Sequence, residues 1–285
     1  LVLMVPALFG VSVSQINLLF DTVLASLLPT GSVSWLYYSD RLTELPLGVF
    51  AIAIATVILP TLSGQRARAD DPAFASTLSW AIRSVLLIAI PATAALAVLA
   101  EPLLATLFQY GAFSGDDRAM AAASLRAYTL GLGSFMLVKV LAPGFYARED
   151  MRTPVHIGII AMVANMVLNV VFVFPLMWWL NLGHVGLALA TSVSAWLNAL
   201  LLFRGLRRDA VLPQGSLPFK WLVQVTAATA AMLAILLWLM PDHAMWAEWL
   251  WWQRAGQLGI LCSAGLGVFG VSLLCCGVRP ADLRR

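Results

Sequence analysis

The stretch WLYYSDRLTELPLGVF, residues 35–50, decides what kind of protein this is. The chain is apolar on both sides of it, yet Asp40, Arg41 and Glu44 fall within five residues and Pro46 follows two positions later. A surface loop here would cut one long apolar segment into two pieces, each too short to span a bilayer. A helix running through it places Ser34, Tyr37, Arg41, Glu44 and Gly48 at steps of three and four residues, and so on one face. Entering from the outer surface near Ser34, Asp40 and Arg41 then lie roughly 10 Å deep at 1.5 Å per residue. Charges at such depth face a bundle interior or a water-filled cavity. Pro46 removes a backbone hydrogen bond beside them and bends the helix. Two readings stay open: an Arg41–Glu44 bridge that locks the helix to a neighbour, or a cationic contact for an anionic substrate, balanced by nearby carboxylates.

Composition agrees with a helix in the membrane. Of 285 residues, 61% are hydrophobic and 11% charged, with a mean hydropathy of +0.89. A soluble domain carries about 25% charged residues. Eight apolar segments are long enough for a hydrocarbon layer of about 30 Å: 3–28, 33–59, 77–100, 119–147, 154–175, 185–206, 219–240 and 251–277. Their unbroken length requires helices, which satisfy the backbone internally, so the expected fold class is all-α and polytopic. The first stretch shows neither a basic n-region nor a small-residue cleavage site. The chain opens on Leu1 inside an apolar run, as a piece of something longer would.

Charge in the connections sets the orientation. One side collects Arg66, Arg68, Arg148, Arg152, Arg204, Arg207, Arg208, Lys220, Arg279, Arg284 and Arg285. The connections 29–32, 101–117, 176–184 and 241–250 hold no Lys or Arg, and carry Glu101, Asp116, Asp117, Asp242 and Glu248 instead. The positive-inside rule puts both chain ends in the cytoplasm, with Phe113 and His184 on the periplasmic side. The net charge of +3 follows from this topology and needs no nucleic-acid partner. Cys262, Cys275 and Cys276 all fall in the last segment without metal-ligand spacing, as apolar filler. The Trp-rich stretch 245–252 reads as an interfacial aromatic belt. There is no Walker loop and no Ser–His–Asp or metal motif, so an enzyme is not expected.

The residues then resemble a known family. SWLYYSDRLTELPLGVFAIAIATVILPTLS (34–63), LFQYGAFSGDD (107–117), VKVLAPGFYAREDMRTPV (138–155) and GHVGLALATSVSAWLNALLL (183–202) resemble, in order, the MurJ (MviN) family of lipid II flippases. The resemblance implies a fourteen-helix exporter fold with two six-helix lobes and two added C-terminal helices. The eight segments would be helices seven to fourteen: 1–208 the C-terminal lobe and 209–285 the added pair, with the N-terminal lobe of the same protein as partner. The implied activity moves lipid II, an undecaprenyl-diphosphate-linked muropeptide, from the cytoplasmic to the periplasmic leaflet of the bacterial inner membrane by alternating access. The alternative is a sister exporter of another polyprenyl-linked oligosaccharide, or a drug/cation antiporter of the same superfamily.

The resemblance makes Arg41 a required cavity arginine, with Asp40 and Glu44 as companions; Ser34, on the same helix face, joins the expected substrate-binding set. A guanidinium suits this, because its fork meets phosphate oxygens through two parallel bonds. Lys139 either snorkels to the inner interface or lines the cavity, and VKVLAPG favours the cavity. Arg83, Arg118 and Arg126 read as structural. Finally, Asp21, Asn165, Asn169 and Thr191 place oxygens from three helices at one depth, roughly 10 Å below the outer surface, and hard cations take such oxygens. The set resembles the sodium site of some family members, which the Leu187 carbonyl would complete, although Asn169 stands where a second carboxylate can occur. A neutral hydrogen-bonded cluster with Asp21 protonated is the other reading. No cofactor beyond a sodium ion is expected.

Overall fold

The computed structural model describes residues 4–212 and 218–278, with side chains from residue 15 onward except those of residues 243, 244 and 247. Arg279, Arg284 and Arg285 of the expected inner charge set, and Leu1, lie outside the described residues. The described residues contain helices and no strand. In chain order these are α1 (Met4–Ser26), α2 (Ser32–Pro46), a π-helical segment (Leu47–Ala51), α3 (Ile52–Ala67), α4 (Asp71–Val98) and α5 (Ala100–Leu107). There follow α6 (Gly115–Tyr146), α7 (Arg152–Leu180), α8 (Gly183–Arg208), α9 (Phe219–Leu239), α10 (His243–Glu248) and α11 (Trp251–Cys275).

Seven helices among the described residues are long and apolar enough to cross a membrane, against eight expected from the sequence. The remaining expected segment is α1, itself 23 residues long. Helix ends differ from the edges of the apolar runs because caps, not hydropathy, stop a helix. The second segment continues past residue 59 as one 36-residue helix, Ser32–Ala67, so Arg66 lies in its last turn instead of in a loop. Residues 101–107 of the expected outer connection fall in α5. α6 starts at a capping box in which Ser114 Oγ accepts from Asp117 N (3.1 Å) and Asp117 Oδ2 accepts from Ser114 N (2.8 Å). α7 runs through Pro175 to a left-handed Asn181 (φ 56°).

The main core joins α3, α4, α6 and α8 through Ile58, Leu78, Ile82, Met136, Phe145 and Leu206. α8 is wedged against both α6 and α7. Two glycines allow that approach: a Cβ on Gly131 would stand 2.8 Å from Ser192 Cα, and one on Gly186 would stand 2.9 Å from Phe172 C. Small residues play this role where lipid gives helices no hydrophobic reason to associate. α9 and α11 pack on each other, and also against α4 and α5 respectively. Trp246, expected in the aromatic belt, is buried instead with Met232, Leu236 and Leu261, while Trp251 and Trp252 are exposed.

Candidate functional site

α2 is held so that one face must remain open. Ser39 Oγ donates to Ala121 O of α6 (2.7 Å), and Leu42 packs with Ala121, Ala122 and Leu125. At the N-terminal end of α2 the Trp35 indole donates to Asp117 Oδ1 (2.7 Å), and its ring meets that of His184 at 4.8 Å, tilted by 60°. His184 is therefore at the expected end of the molecule but buried, not surface-facing. With that face fixed, Ser34, Tyr37, Arg41, Glu44 and Gly48 are all uncovered by the chain, as is Asp40.

On this face Arg41 Nη1 donates to Glu44 Oε2 at 2.7 Å, and the guanidinium carbon stands 4.9 Å over the Tyr37 ring. The pair closes within α2 and reaches no neighbouring helix among the described residues. Glu44 and Tyr37 orient the guanidinium and occupy part of its donor fork, so the remaining N–H groups face the open side. Just beyond, Pro46 contributes no N–H and the helix widens: the Ile52 N–H donates to Leu47 O, a five-residue step. Such single π turns recur at functional sites.

Lys139 is not brought to this stripe. It stands on α6 and lines a cavity of about 690 Å³ between α6, α7 and α8, together with Asn17, Asn165, Thr191, Ser194 and Asn198. Arg126 is satisfied elsewhere, donating to Glu101 Oε1 (3.0 Å) and Ala97 O (3.3 Å). Arg118 donates to Gln109 Oε1 (3.2 Å) and Arg83 to Ser79 O (3.4 Å).

The four oxygen-bearing residues do come together. Asn169 Nδ2 donates to Asp21 Oδ1 at 2.6 Å and to Asn165 Oδ1 at 3.0 Å. Asn165 Nδ2 donates to Thr191 Oγ1 (3.4 Å) and Ser194 Oγ (3.3 Å), and Thr191 Oγ1 donates to Leu187 O (3.0 Å). The side chains thus form a hydrogen-bonded cluster linking α1, α7 and α8. Two members escaped the sequence reading: Asn17, which donates to Asp21 Oδ2 at 3.3 Å, and Ser194. Asn17 and Asp21 are four apart on one helix, a spacing that could have revealed the first. Tyr128 of α6, also missed, lies within electrostatic reach of both Asp21 and Asp40. Asn165 and Asn169 are buried, and Asn169 Oδ1 has no hydrogen-bond partner. One carboxylate, an orphaned amide oxygen, a hydroxyl and a carbonyl form a donor set that fits a hard cation. Among the described residues no group of three or more His, Cys, Asp or Glu is placed to hold a metal ion.

Comparison with known proteins follows the same lines. The family model described as "Lipid II flippase MurJ" matches residues 1–252. A Vibrio cholerae relative named "Probable lipid II flippase MurJ" is 52% identical over 282 residues, covering 99% of this chain and 53% of the relative. A Haemophilus influenzae protein of the same name is 48% identical over 287 residues, covering 99% and 55%. The chain spans about half the length of the curated relatives it matches. Among solved structures, "Lipid II flippase MurJ, inward closed conformation" superposes with a TM-score of 0.76 at 25% identity over 97% of this chain and 53% of that one. An outward-facing multidrug resistance transporter of the MATE family superposes with a TM-score of 0.60 at 17% identity, a likeness of fold alone.

Proposed function

Because the chain belongs to the lipid II flippase MurJ family, a family of membrane transporters, we propose that it forms one lobe of a flippase that carries the lipid II headgroup across the inner membrane. Residues 1–208 are the six-helix lobe and 209–285 the added helices. The N-terminal lobe of the same protein closes the other side of the transport cavity, and alternating access between the lobes moves the headgroup outward. Both ends of the chain are cytoplasmic in this reading, as the arginine-rich connections require.

The observation that supports it is the open Arg41 face of α2. Lipid II carries a diphosphate between its polyprenyl chain and its sugars. The Arg41 guanidinium can exchange its Glu44 partner (2.7 Å) for phosphate oxygens, gaining two parallel charge-assisted bonds. Asp40 and Glu44 then balance its charge once the anion has left, so the site releases as well as binds. Ser34, one face-repeat outward, adds a neutral hydroxyl along the path. Lys139 lies apart from this face, and the anion contact rests on α2.

The Asp21 cluster is a monovalent cation site in the same reading. Asp21, Asn165, Asn169, Thr191 and the Leu187 carbonyl would hold the ion. The ion would supply the positive charge that lets Asp21 stay ionised inside an apolar lobe.

The test is replacement of Arg41 in the whole protein, in cells depleted of their own flippase. Arg41→Ala should abolish growth while the protein remains inserted at normal levels. Arg41→Lys should also be impaired, since an ammonium is a point charge without the fork. Normal growth on Arg41→Ala would end the substrate-contact reading.

A further inference from the structure

We propose that the cavity between α6 and α7 is a water-filled vestibule through which a monovalent cation reaches Asp21 from the side of the α6–α7 turn, with Lys139 as the charge that restrains it. The inference rests on the cation reading of the Asp21 cluster. α8 packs along both α6 and α7, while those two scarcely touch one another. They stand apart over α8 and leave about 690 Å³ between them. At about 30 Å³ per molecule that is room for on the order of twenty waters.

The two ends of the cavity differ. One is bounded by Met151 and Pro154, at the α6–α7 turn. The other reaches Asn17, Asn165, Thr191 and Ser194, all members of the hydrogen-bonded network around Asp21. Pro154 and Asn165 are about 16 Å apart along α7 at 1.5 Å per residue. Between the ends, Thr191, Ser194 and Asn198 recur at three- and four-residue steps on α8 and line the cavity together. That stripe gives water the two to four polar partners it needs.

Asn165 closes the deep end. Its amide nitrogen donates to the Thr191 and Ser194 hydroxyls, at 3.4 and 3.3 Å, and its oxygen accepts from Asn169 Nδ2 at 3.0 Å. The side chain thus bridges the polar wall of the cavity and the Asn169–Asp21 pair behind it. Among the described residues that line the cavity, Lys139 alone carries a formal charge. Its ammonium lowers the local concentration of cations, and so sets how freely the vestibule fills.

Thiol accessibility tests this. Ala195 also lines the cavity, and Ala195→Cys is made in the whole protein with Cys262, Cys275 and Cys276 replaced by Ser. Membrane vesicles of each orientation are treated with an impermeant cationic methanethiosulfonate or a neutral one. The thiol should react from the side of the α6–α7 turn only. Lys139→Gln should speed the cationic reagent about fivefold, the effect of one charge at close range in a partly screened site, and leave the neutral reagent nearly unchanged. Silence from that side, or equal acceleration of both reagents, overturns the vestibule. A parallel melting measurement in sodium against choline separates the two readings. Sodium stabilisation with a silent thiol leaves the cation site and removes its route. A reactive thiol with no sodium effect removes the cation reading, and the cation route with it.

Discussion

Asn169 determines how the Asp21 cluster meets a charge. It turns its nitrogen to Asp21 at 2.6 Å and leaves Oδ1 buried without a partner. An unpartnered buried carbonyl costs about 1–3 kcal/mol. The same amide turned over presents oxygen to Asp21, an approach that two oxygens tolerate when they share a cation. Sodium should therefore draw on the orphaned atom, and the whole protein should melt higher in sodium than in choline. At a hundredfold excess over Kd the gain is about 2.7 kcal/mol, or several degrees in Tm. Asp21→Asn should erase the difference, while Asn169→Asp, which adds a second carboxylate, should enlarge it. Equal stabilisation of wild type and Asp21→Asn would show that no cation binds here. On α2, Glu44→Gln removes the charge that orients Arg41 but keeps a hydrogen-bonding side chain. A partial loss of flipping is expected in the growth assay, milder than for Arg41→Ala.

At the scale of helices, the site depends on α8 lying close to both neighbours. Ser192 Oγ donates to Ala127 O at 2.8 Å, which pins α8 to α6 one residue from Thr191. Gly186 lets α8 close on α7, where an added Cβ would meet the backbone of Phe172 and Val173 at 2.9 Å. Backbone cannot swing aside as a side chain can, so Gly186→Ala should destabilise by about 1–3 kcal/mol through overpacking and weaken any sodium shift along with it. An unchanged melting temperature would show that the helices part without loss. Much at this scale was legible in the sequence, because an apolar run of bilayer length has few alternatives to a helix. The stripe from Ser34 to Gly48 was legible for the same reason, being set by helical spacing alone. Helix ends were not: the Ser114–Asp117 box and the left-handed Asn181 stop helices well away from the edges of the apolar runs. Nor was Arg254, a buried arginine in the last span whose Nη1 donates to Ala105 O (2.9 Å) and whose Nε donates to Trp249 O (3.0 Å). It covers carbonyls at the end of α5, a helix that hydropathy did not reveal, and a contact between residues so far apart leaves no local trace. The burial of His184 depends likewise on Trp35, which is distant in sequence.

For the molecule as a whole, the direction of transport depends on which end of the helices faces the cytoplasm. Arginines at the ends of α3 and α6 are held in pairs: Arg66 with Asp71 at 3.3 Å, and Arg148 with Asp209, just past α8, at 2.8 Å. Asp150, in the α6–α7 turn, is partly buried, which opposes ionisation. Donation from Thr153 and Arg152 and the nearby Arg148 charge outweigh this and hold its carboxyl below the ordinary range. That turn thus remains a compact zwitterion at neutral pH, suited to a headgroup layer, and in the proposed orientation it lies on the cytoplasmic side. The opposite end carries Glu101, Asp116 and Asp117. Phe113 is half-buried and packs edge-on against Tyr38 at 5.3 Å, so it is a poor reporter, whereas Ala112 and Arg68 are both exposed. In a background free of native cysteines, an impermeant thiol reagent added outside intact inner-membrane-bounded cells should label Ala112→Cys. It should spare Arg68→Cys until the membrane is opened. Labelling of Arg68→Cys from outside, with Ala112→Cys silent, would invert the lobe, place the Asp21 cluster nearer the cytoplasmic surface, and reverse the side from which the Arg41 face takes its anion.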